Sequence, residues 1–409
     1  MPLNPPAMAY LVSRYPAISH TFILREVQGL RALGHSLFTA SINPPDRPVE
    51  AMEGYEKQEA EATFFVKAQG VLGALSAFLF WVFASPARLV QTLRLGLQLG
   101  KNGSWLYGLA YVAEAALVAR WMHRKQLGIL HVHFGNASAT VGVLVKRLMP
   151  CHLSYTIHGP DEFDDVLGQH LALKMQEADQ VVCISQFAKG QLMRLSHPDH
   201  WHKFQVCRLG VDPAQFTFAE RALDSSPVEL LCVGRLSSAK AQVLLVQACA
   251  SLRDEGLDFK LTLVGDGPDR TRIEQTIQKL QLGSHVHLTG SLNQLAVRAQ
   301  FARADGFVLP SLAEGIPVVL MEAMSSGVPC ISTPVNGIPE LIQHERTGLL
   351  ATPGDIDSLT TQLRRLILEP QLRRSLAQAA HTKVLADFDL PRNVGQLGRI
   401  FSKFSAAKA

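Results

Sequence analysis

Two α/β domains, each a parallel sheet wound with helices on both faces, are what this sequence predicts, on three observations. The chain has 409 residues and 47% hydrophobic content, too much for one compact core and enough for two domains of about 200 residues each. Strand-like apolar runs alternate with helical segments, most regularly in the second half, as a parallel sheet requires. A polar stretch, residues 216–228, separates the halves and reads as a linker. The expected divisions are 1–215, the linker 216–228, 229–385, and a C-terminal helical segment, 386–409, placed to pack back on the first domain. Two such Rossmann-like, doubly wound domains would face each other across a cleft.

Composition narrows the function. Charged residues make up 18% of the chain and the net charge is +4, and no Lys/Arg tract is dense enough for a nucleic-acid partner. The six cysteines (Cys151, Cys183, Cys207, Cys232, Cys249, Cys330) are scattered, mostly in apolar strand-like runs, with no CxxC pair. That usage fits reduced, buried thiols in a cytosolic protein. The opening "MPLNPPAMAYLVS" lacks the charged region and cleavage site of a signal peptide, so the expected location is cytoplasmic.

In the first half "MAYLVS", "ILHVHF", "HLSYTI", "DQVVCIS" and "FQVCRLG" read as strands. Between the first two lies an uncharged run, Ala68 to Ala87, as long as a membrane span, whose strongly apolar part, Val71 to Ala84, is too short to cross alone. The following "RLVQTLRLGLQLGK" alternates Leu with Arg88, Arg94 and Lys101, as an interfacial helix does. A buried core helix, a helix on an anionic membrane surface through 68–101, and a true span all fit this pattern, so peripheral attachment to the inner face of the cell membrane stays open.

In the second half the strands are "VELLCVG", "FKLTLVG", "SHVHLTG", "DGFVLP" and "VPCIST", with helices beginning near Lys240, Asp269, Gln294, Pro317 and Ile338. Ligands of such sheets bind at the carboxyl ends of strands. "GRLSSAK" puts Arg235 at a strand exit and Lys240 near a helix start, where side-chain cations and the helix dipole act together on an anion; each alone also fits an ordinary loop charge. "VGDGPDR" offers Gly265 and Gly267 for close backbone approach, but Arg270 stands where a dinucleotide fingerprint needs its third glycine. In "EGIPVVLME", Pro317 suits the first helical position, so Glu314 precedes a helix and Glu322 lies about a turn and a half inside it. Two carboxylates so held accept hydrogen bonds from a polyhydroxylated ligand, though a loop acid and a wetted helix face read the same way.

The ordered motifs "GRLSSAK", "GDGPDR", "EGIPVVLMEAMSSGVPCISTPVNGIPELI" and "TGLL" resemble the retaining glycosyltransferases of family four, which have the two-domain GT-B fold. The N-terminal "SRYPAISHTFILREVQGLRALGH", "HVHFG" and "TIHGPDEF" look most like the exopolysaccharide and colanic-acid branch. Similarity implies an acceptor-side first domain and a second domain that binds a nucleotide sugar, UDP- or GDP-linked, with no cofactor of its own. It implies that Glu314 contacts the donor sugar, Glu322 the ribose, and Arg235 with Lys240 the diphosphate. The backbone amides of Gly315 and Ile316 would meet sugar or phosphate oxygens, Gly265 and Asp266 would lie near the nucleoside, and His158 in "TIHG" would reach the sugar near its reacting carbon. The implied reaction moves a hexose to a glycan or lipid-linked acceptor by front-face attack, a donor phosphate oxygen taking the acceptor proton.

This chemistry agrees with the residues. Charge builds on the leaving phosphate, and fixed cations beside a helix N-terminus answer it without a metal. "DEFDD", Asp161 to Asp165, reads as an acidic helix start that caps. His131 and His133 share one strand face but have no third ligand at a defined spacing, and His133 is placed to line the acceptor side. Three departures from the family pattern stand out: "YPAISHTF" in place of a Gly-Gly loop, Asn336 in place of a glycine, and Ala241 after Lys240 where glycine is usual. A nucleotide-sugar epimerase of the same architecture and a non-catalytic nucleotide-sugar-binding scaffold at a membrane are the alternative functions.

Overall fold

Apolar strands shielded on both sides by helices build two separate parallel sheets. The computed structural model describes residues 7–220 and 226–406, so 221–225 of the expected linker fall outside the described residues. The chain forms two compact units, one of Met1–Cys207 with Pro391–Ala409, the other Arg208–Leu390.

The first unit contains β1 (Met8–Arg14), β2 (Leu37–Asn43), β3 (Phe64–Phe65), β4 (Ile129–His133), β5 (His152–Ile157), β6 (Gln180–Cys183) and β7 (Phe204–Val206). Their order in the sheet is β3-β2-β1-β4-β5-β6-β7, and every pairing is parallel. β4 is buried along its whole length and β1 along all but its last two residues. Strands covered on both faces are mainly apolar, which is why they read as near-continuous runs, and the two histidines of β4 are buried with the rest. The strand order reverses between β1 and β4, and register sets Tyr10 beside His131 and His131 beside Ser154 there.

The second unit holds β8 (Val228–Val233), β9 (Phe259–Val264), β10 (Val286–Gly290), β11 (Gly306–Leu309), β12 (Cys330–Ser332) and β13 (Leu349–Leu350), ordered β10-β9-β8-β11-β12-β13. All are parallel, and the order reverses between β8 and β11. The carboxyl ends at such a reversal form a ready-made ligand site.

The units divide at 207/208 and 390/391, not at 215/216 and 385/386. Local bonds explain the shift. The Val211 and Leu390 amides donate to Phe388 and Val211 carbonyls at 2.9 and 3.0 Å, and Arg208 pairs with Glu340 at 3.5 Å, tying 208–211 to the second unit. The last helix, Leu390–Ala406, lies in the first unit: Gln396 Nε2 donates to the Val206 carbonyl at 3.0 Å, and Phe401, 1% exposed, packs 4.9 Å from the His131 ring.

The core-helix reading of the apolar run is corrected. Gly70–Ala84 is a helix, but only Ala77 and Trp81 along it are buried. Its inner side rests on the helix Trp105–Arg124, where Trp81 Nε1 donates to the Ala116 carbonyl at 3.1 Å. Leu72 and Phe83 on the other side are 82% and 80% exposed.

Candidate functional site

The reversal point of the second sheet gathers the predicted donor-side residues. Gly234 and Gly265 follow β8 and β9 so closely that a Cβ on Gly265, where φ is +138°, would lie 2.0 Å from the Gly234 carbonyl oxygen; only glycine fits. The two loops are stitched by the Leu236 amide donating to the Asp266 carbonyl at 3.0 Å and the Asp269 amide to the Leu236 carbonyl at 3.1 Å. The Asp266 carboxylate accepts from the Gly267 amide at 2.7 Å and from Arg270 at 3.1 Å. Its visible task is to shape this loop.

Arg235 is exposed at the exit of β8, and no acid pairs with it among the described residues. Its carbonyl accepts from the side chain of the buried Gln242 at 3.0 Å. Lys240 ends a short 3-10 turn, one residue before the left-handed Ala241 (φ +54°) that admits the helix Gln242–Asp254. The Lys240 ammonium forms an ion pair with Glu314 Oε1, which also accepts from the Ser311 hydroxyl at 2.7 Å. Two residues expected to act on one ligand are thus in direct contact, across the β8/β11 reversal.

Glu314 is 6% exposed and precedes the helix Val318–Ser325, which Pro317 caps from an extended conformation and does not begin. Among the described residues the amides of Gly315 and Ile316 find no acceptor, and the first helical turn adds further unpaired N–H groups by construction. Their positive ends make an anion-receptive corner. Gly337 lies against this loop, where a Cβ would come 2.4 Å from the Gly315 carbonyl; before it Asn336 adopts φ +46°, a conformation asparagine tolerates. Glu322, 9% exposed, stands in the second turn of the same helix. A cavity lined by Phe218, Asp305, Gly327 and Arg373 lies past the other end of this helix and includes none of these residues.

His158 belongs to the first unit, where it follows β5 beside the β1/β4 reversal. Its ring is 5% exposed and sits 4.5 Å from Phe134 and 5.0 Å from Phe22. Burial holds both His158 and His131 well below the ordinary histidine pKa, so both are neutral at pH 7. His158 Nε2 meets His133 Nδ1 at 3.1 Å, and His133 Nε2 lies 3.3 Å from Glu26 Oε1, off the axis of a good hydrogen bond. Tyr10 donates to the same carboxylate oxygen at 2.9 Å. The Glu26 carboxylate, which only accepts, thus anchors one end of a row of buried polar groups that runs past His133 to His158.

Sequence reasoning left His131 and His133 without a third partner; folding brings Glu26 from the first helix to within 4.8 Å of both. Both ring nitrogens of His131 are already bonded, to Ser154 and Thr156 at 2.9 Å each, so the group works as a hydrogen-bond network. His133 is fully buried and does not line a surface, which corrects that expectation.

The acidic cluster after His158 does not cap as expected, since Pro160 holds the N-cap position of the helix Asp161–Asp164 and no side chain caps it. Glu162, 4% exposed, accepts from the His158 amide at 2.7 Å and from the amides of Gly159 and Gly135, clasping the loops after β4 and β5. Lys174 completes the clasp by donating to the Gly135 and Asn136 carbonyls at 2.9 and 2.8 Å. Burial pushes the Glu162 carboxyl up to about 7 and the Lys174 ammonium down to about 7. Nothing in the sequence marks Lys174, which is a lone lysine on a helix.

Residues 20–215 match the family described as Glycosyltransferase Family 4 and residues 214–383 the family described as Glycosyl transferases group 1. The putative colanic acid biosynthesis glycosyltransferase WcaL of Escherichia coli (strain K12) is 30% identical over 93% of this chain and 96% of its own length. The chain is a family-four glycosyltransferase. A second relative of this transferase, the amylovoran biosynthesis glycosyltransferase AmsK of Erwinia amylovora, is 27% identical over 97% of the chain and all of its own length. Among solved structures, HepE of Anabaena in complex with UDP and glucose superposes with a TM-score of 0.73 and 18% identity, covering 97% of this transferase and 100% of HepE. The transferase has the GT-B fold that the sequence motifs imply.

Proposed function

We propose that this glycosyltransferase moves a hexose, with retention and without a metal, from a UDP- or GDP-sugar to a glycan or lipid-linked acceptor in surface-polysaccharide assembly. The observation that carries the reading is the corner of the second unit where the unpaired Arg235, the Lys240–Glu314 pair and the acceptor-less amides of Gly315 and Ile316 meet a helix N-terminus. Such a corner suits a diphosphate beside a sugar, because fixed donors stabilise the charge that grows on the leaving group. WcaL and AmsK are named for colanic acid and amylovoran biosynthesis, and HepE was solved with UDP and glucose; these names support the acceptor class and donor type. In this reading Arg235 and Lys240 hold the diphosphate, Glu314 and the two amides the sugar, Glu322 the ribose, and Gly265 with the Asp266 loop the base. His158 acts on the sugar from the first unit. A donor phosphate oxygen takes the acceptor proton, so no separate base is assigned. A lipid-linked acceptor would place the reaction at the inner face of the cytoplasmic membrane.

The test incubates the purified protein with a panel of nucleoside-diphosphate hexoses and glycan acceptors and reads the product's anomeric configuration by NMR. An α-linked product from an α-donor, formed equally in EDTA, is expected. Arg235→Ala should lower the rate on the order of a hundredfold. An inverted product, or loss of activity in EDTA, would overturn retention or metal independence; a changed sugar still on its nucleotide, formed without acceptor, would mean epimerisation.

A further inference from the structure

A helix on the surface of a water-soluble domain turns polar residues outward; Gly70–Ala84 does the reverse. Val71, Leu72, Leu75, Leu79, Val82 and Phe83 on its outer face are 38–82% exposed, and they recur at the spacing of one helical stripe. Thirteen of the twenty-one large apolar side chains exposed among the described residues fall within 71–109. Singly exposed apolar residues are unremarkable, but a concentration of this kind marks an interaction surface.

Charge says what covers it. Between Lys67 and Lys125 the sequence has seven Lys and Arg and one acid, Glu114, whereas the whole chain has 39 basic and 35 acidic residues. Lys67, Arg88, Arg94, Lys101, Arg124 and Lys125 are all exposed. We infer that the outer face of the Gly70–Ala84 helix, with this basic surround, docks on an anionic lipid bilayer. An apolar stripe entering the acyl boundary beside cations at headgroup level is the pattern of an in-plane helix. A second copy of the chain fits less well, since a two-fold contact would set one cationic surround against another. A span fits less well too. The 15-residue helix is about 22 Å long against a hydrocarbon core of about 30 Å, and Ala77 and Trp81 hold its inner side against protein.

The inference deepens the reading of a lipid-linked acceptor, but its test needs no catalysis. Full-length protein is floated with vesicles of phosphatidylcholine alone and with phosphatidylglycerol added, at low and high salt. Binding only to the anionic vesicles, weakened by salt, is expected. Replacing Arg88, Arg94 and Lys101 together by Gln should weaken binding about a hundredfold. Leu72→Ser with Phe83→Ser should abolish it; both side chains are already in water, so urea unfolding of this variant should match wild type. No flotation with anionic vesicles, or equal and salt-insensitive flotation with neutral ones, would overturn the proposal. So would a concentration-dependent dimer that the double variant dissolves. Retained flotation in a preparation that transfers no sugar would defeat the transferase reading alone.

Discussion

Glu314 and Lys240 hold opposite charges in contact at a corner otherwise suited to an anion, and that pairing separates the roles of the two predicted acids. Replacing Glu314 by Gln removes the negative charge nearest the proposed diphosphate and releases Lys240, so calorimetry should find free nucleoside diphosphate bound at least as tightly, while kcat falls by on the order of a hundredfold. Glu322→Gln, in the second turn of the helix that follows Glu314, should instead weaken nucleotide binding with a smaller loss in kcat. Equal loss of nucleotide affinity in both variants would reverse the assignment. A second single-residue consequence concerns Glu26, whose carboxylate lies 3.3 Å from His133 Nε2, while His133 Nδ1 meets His158 Nε2 at 3.1 Å. Glu26→Gln removes the negative charge beside His133 and so changes the electrostatic setting of the ring that meets His158. The expected result is a fall in kcat of about tenfold or more with donor KM unchanged and an altered pH profile; an unchanged profile would make Glu26 only a core residue. Neither relation is visible in sequence, because Glu26 and His133 are brought together only by sheet order.

At the level of elements, what the sequence shows depends on how many neighbours decide the outcome. β1, β4, β8 and β9 are mostly apolar and legible, as are the helices starting at Gln294 and Ile338. β2, whose "LFTASIN" mixes Ser and Thr with apolar residues, and the two-residue β3 and β13 were missed, since strands that short exist only through a neighbour's backbone. Local conformation was half legible: Ala241 and Asn336 were noticed as departures from glycine, and both occupy the left-handed region that makes glycine usual there. The Trp105–Arg124 helix yields a further prediction. Its Glu114 is 13% exposed, 3.9 Å from Lys67, and burial outweighs that cation, pushing its carboxyl up to about 7. A raised carboxyl pKa means the folded chain binds more protons than the unfolded one between about pH 4.5 and 7, so stability falls as pH rises through that window. Glu114→Gln should match wild type in urea unfolding at pH 4.5 and exceed it by about 3 kcal/mol at pH 8. A constant difference between the two pH values would show that Glu114 titrates normally.

On the scale of the whole chain, the two-sheet architecture followed from alternating strands and helices, but the path of the chain did not. The last seventeen-residue helix follows the second unit in sequence and belongs to the first in space, because its apolar face meets surface that β1, β4 and β7 leave uncovered. Val394 fills the space over Gly29, where a Cβ would come within 3.0 Å, the Asn393 carbonyl accepts from Cys207 Sγ at 3.4 Å, and Phe401 reaches Tyr10 at 6.2 Å and His131 at 4.9 Å. Phe401 thus closes the underside of the network that orients His158, although 243 positions separate the two in sequence. Truncating a buried Phe to Ala costs about 3–5 kcal/mol, part of it for the cavity left behind. Phe401→Ala should therefore destabilise the first unit by about that much, although the substitution lies only eight residues before Ala409. Hydrogen exchange read by mass spectrometry should show faster exchange in peptides covering β1 and β4 and unchanged exchange in β8, β9 and β11. Faster exchange confined to the second unit, or none beyond the last helix itself, would mean that this helix does not support the first sheet.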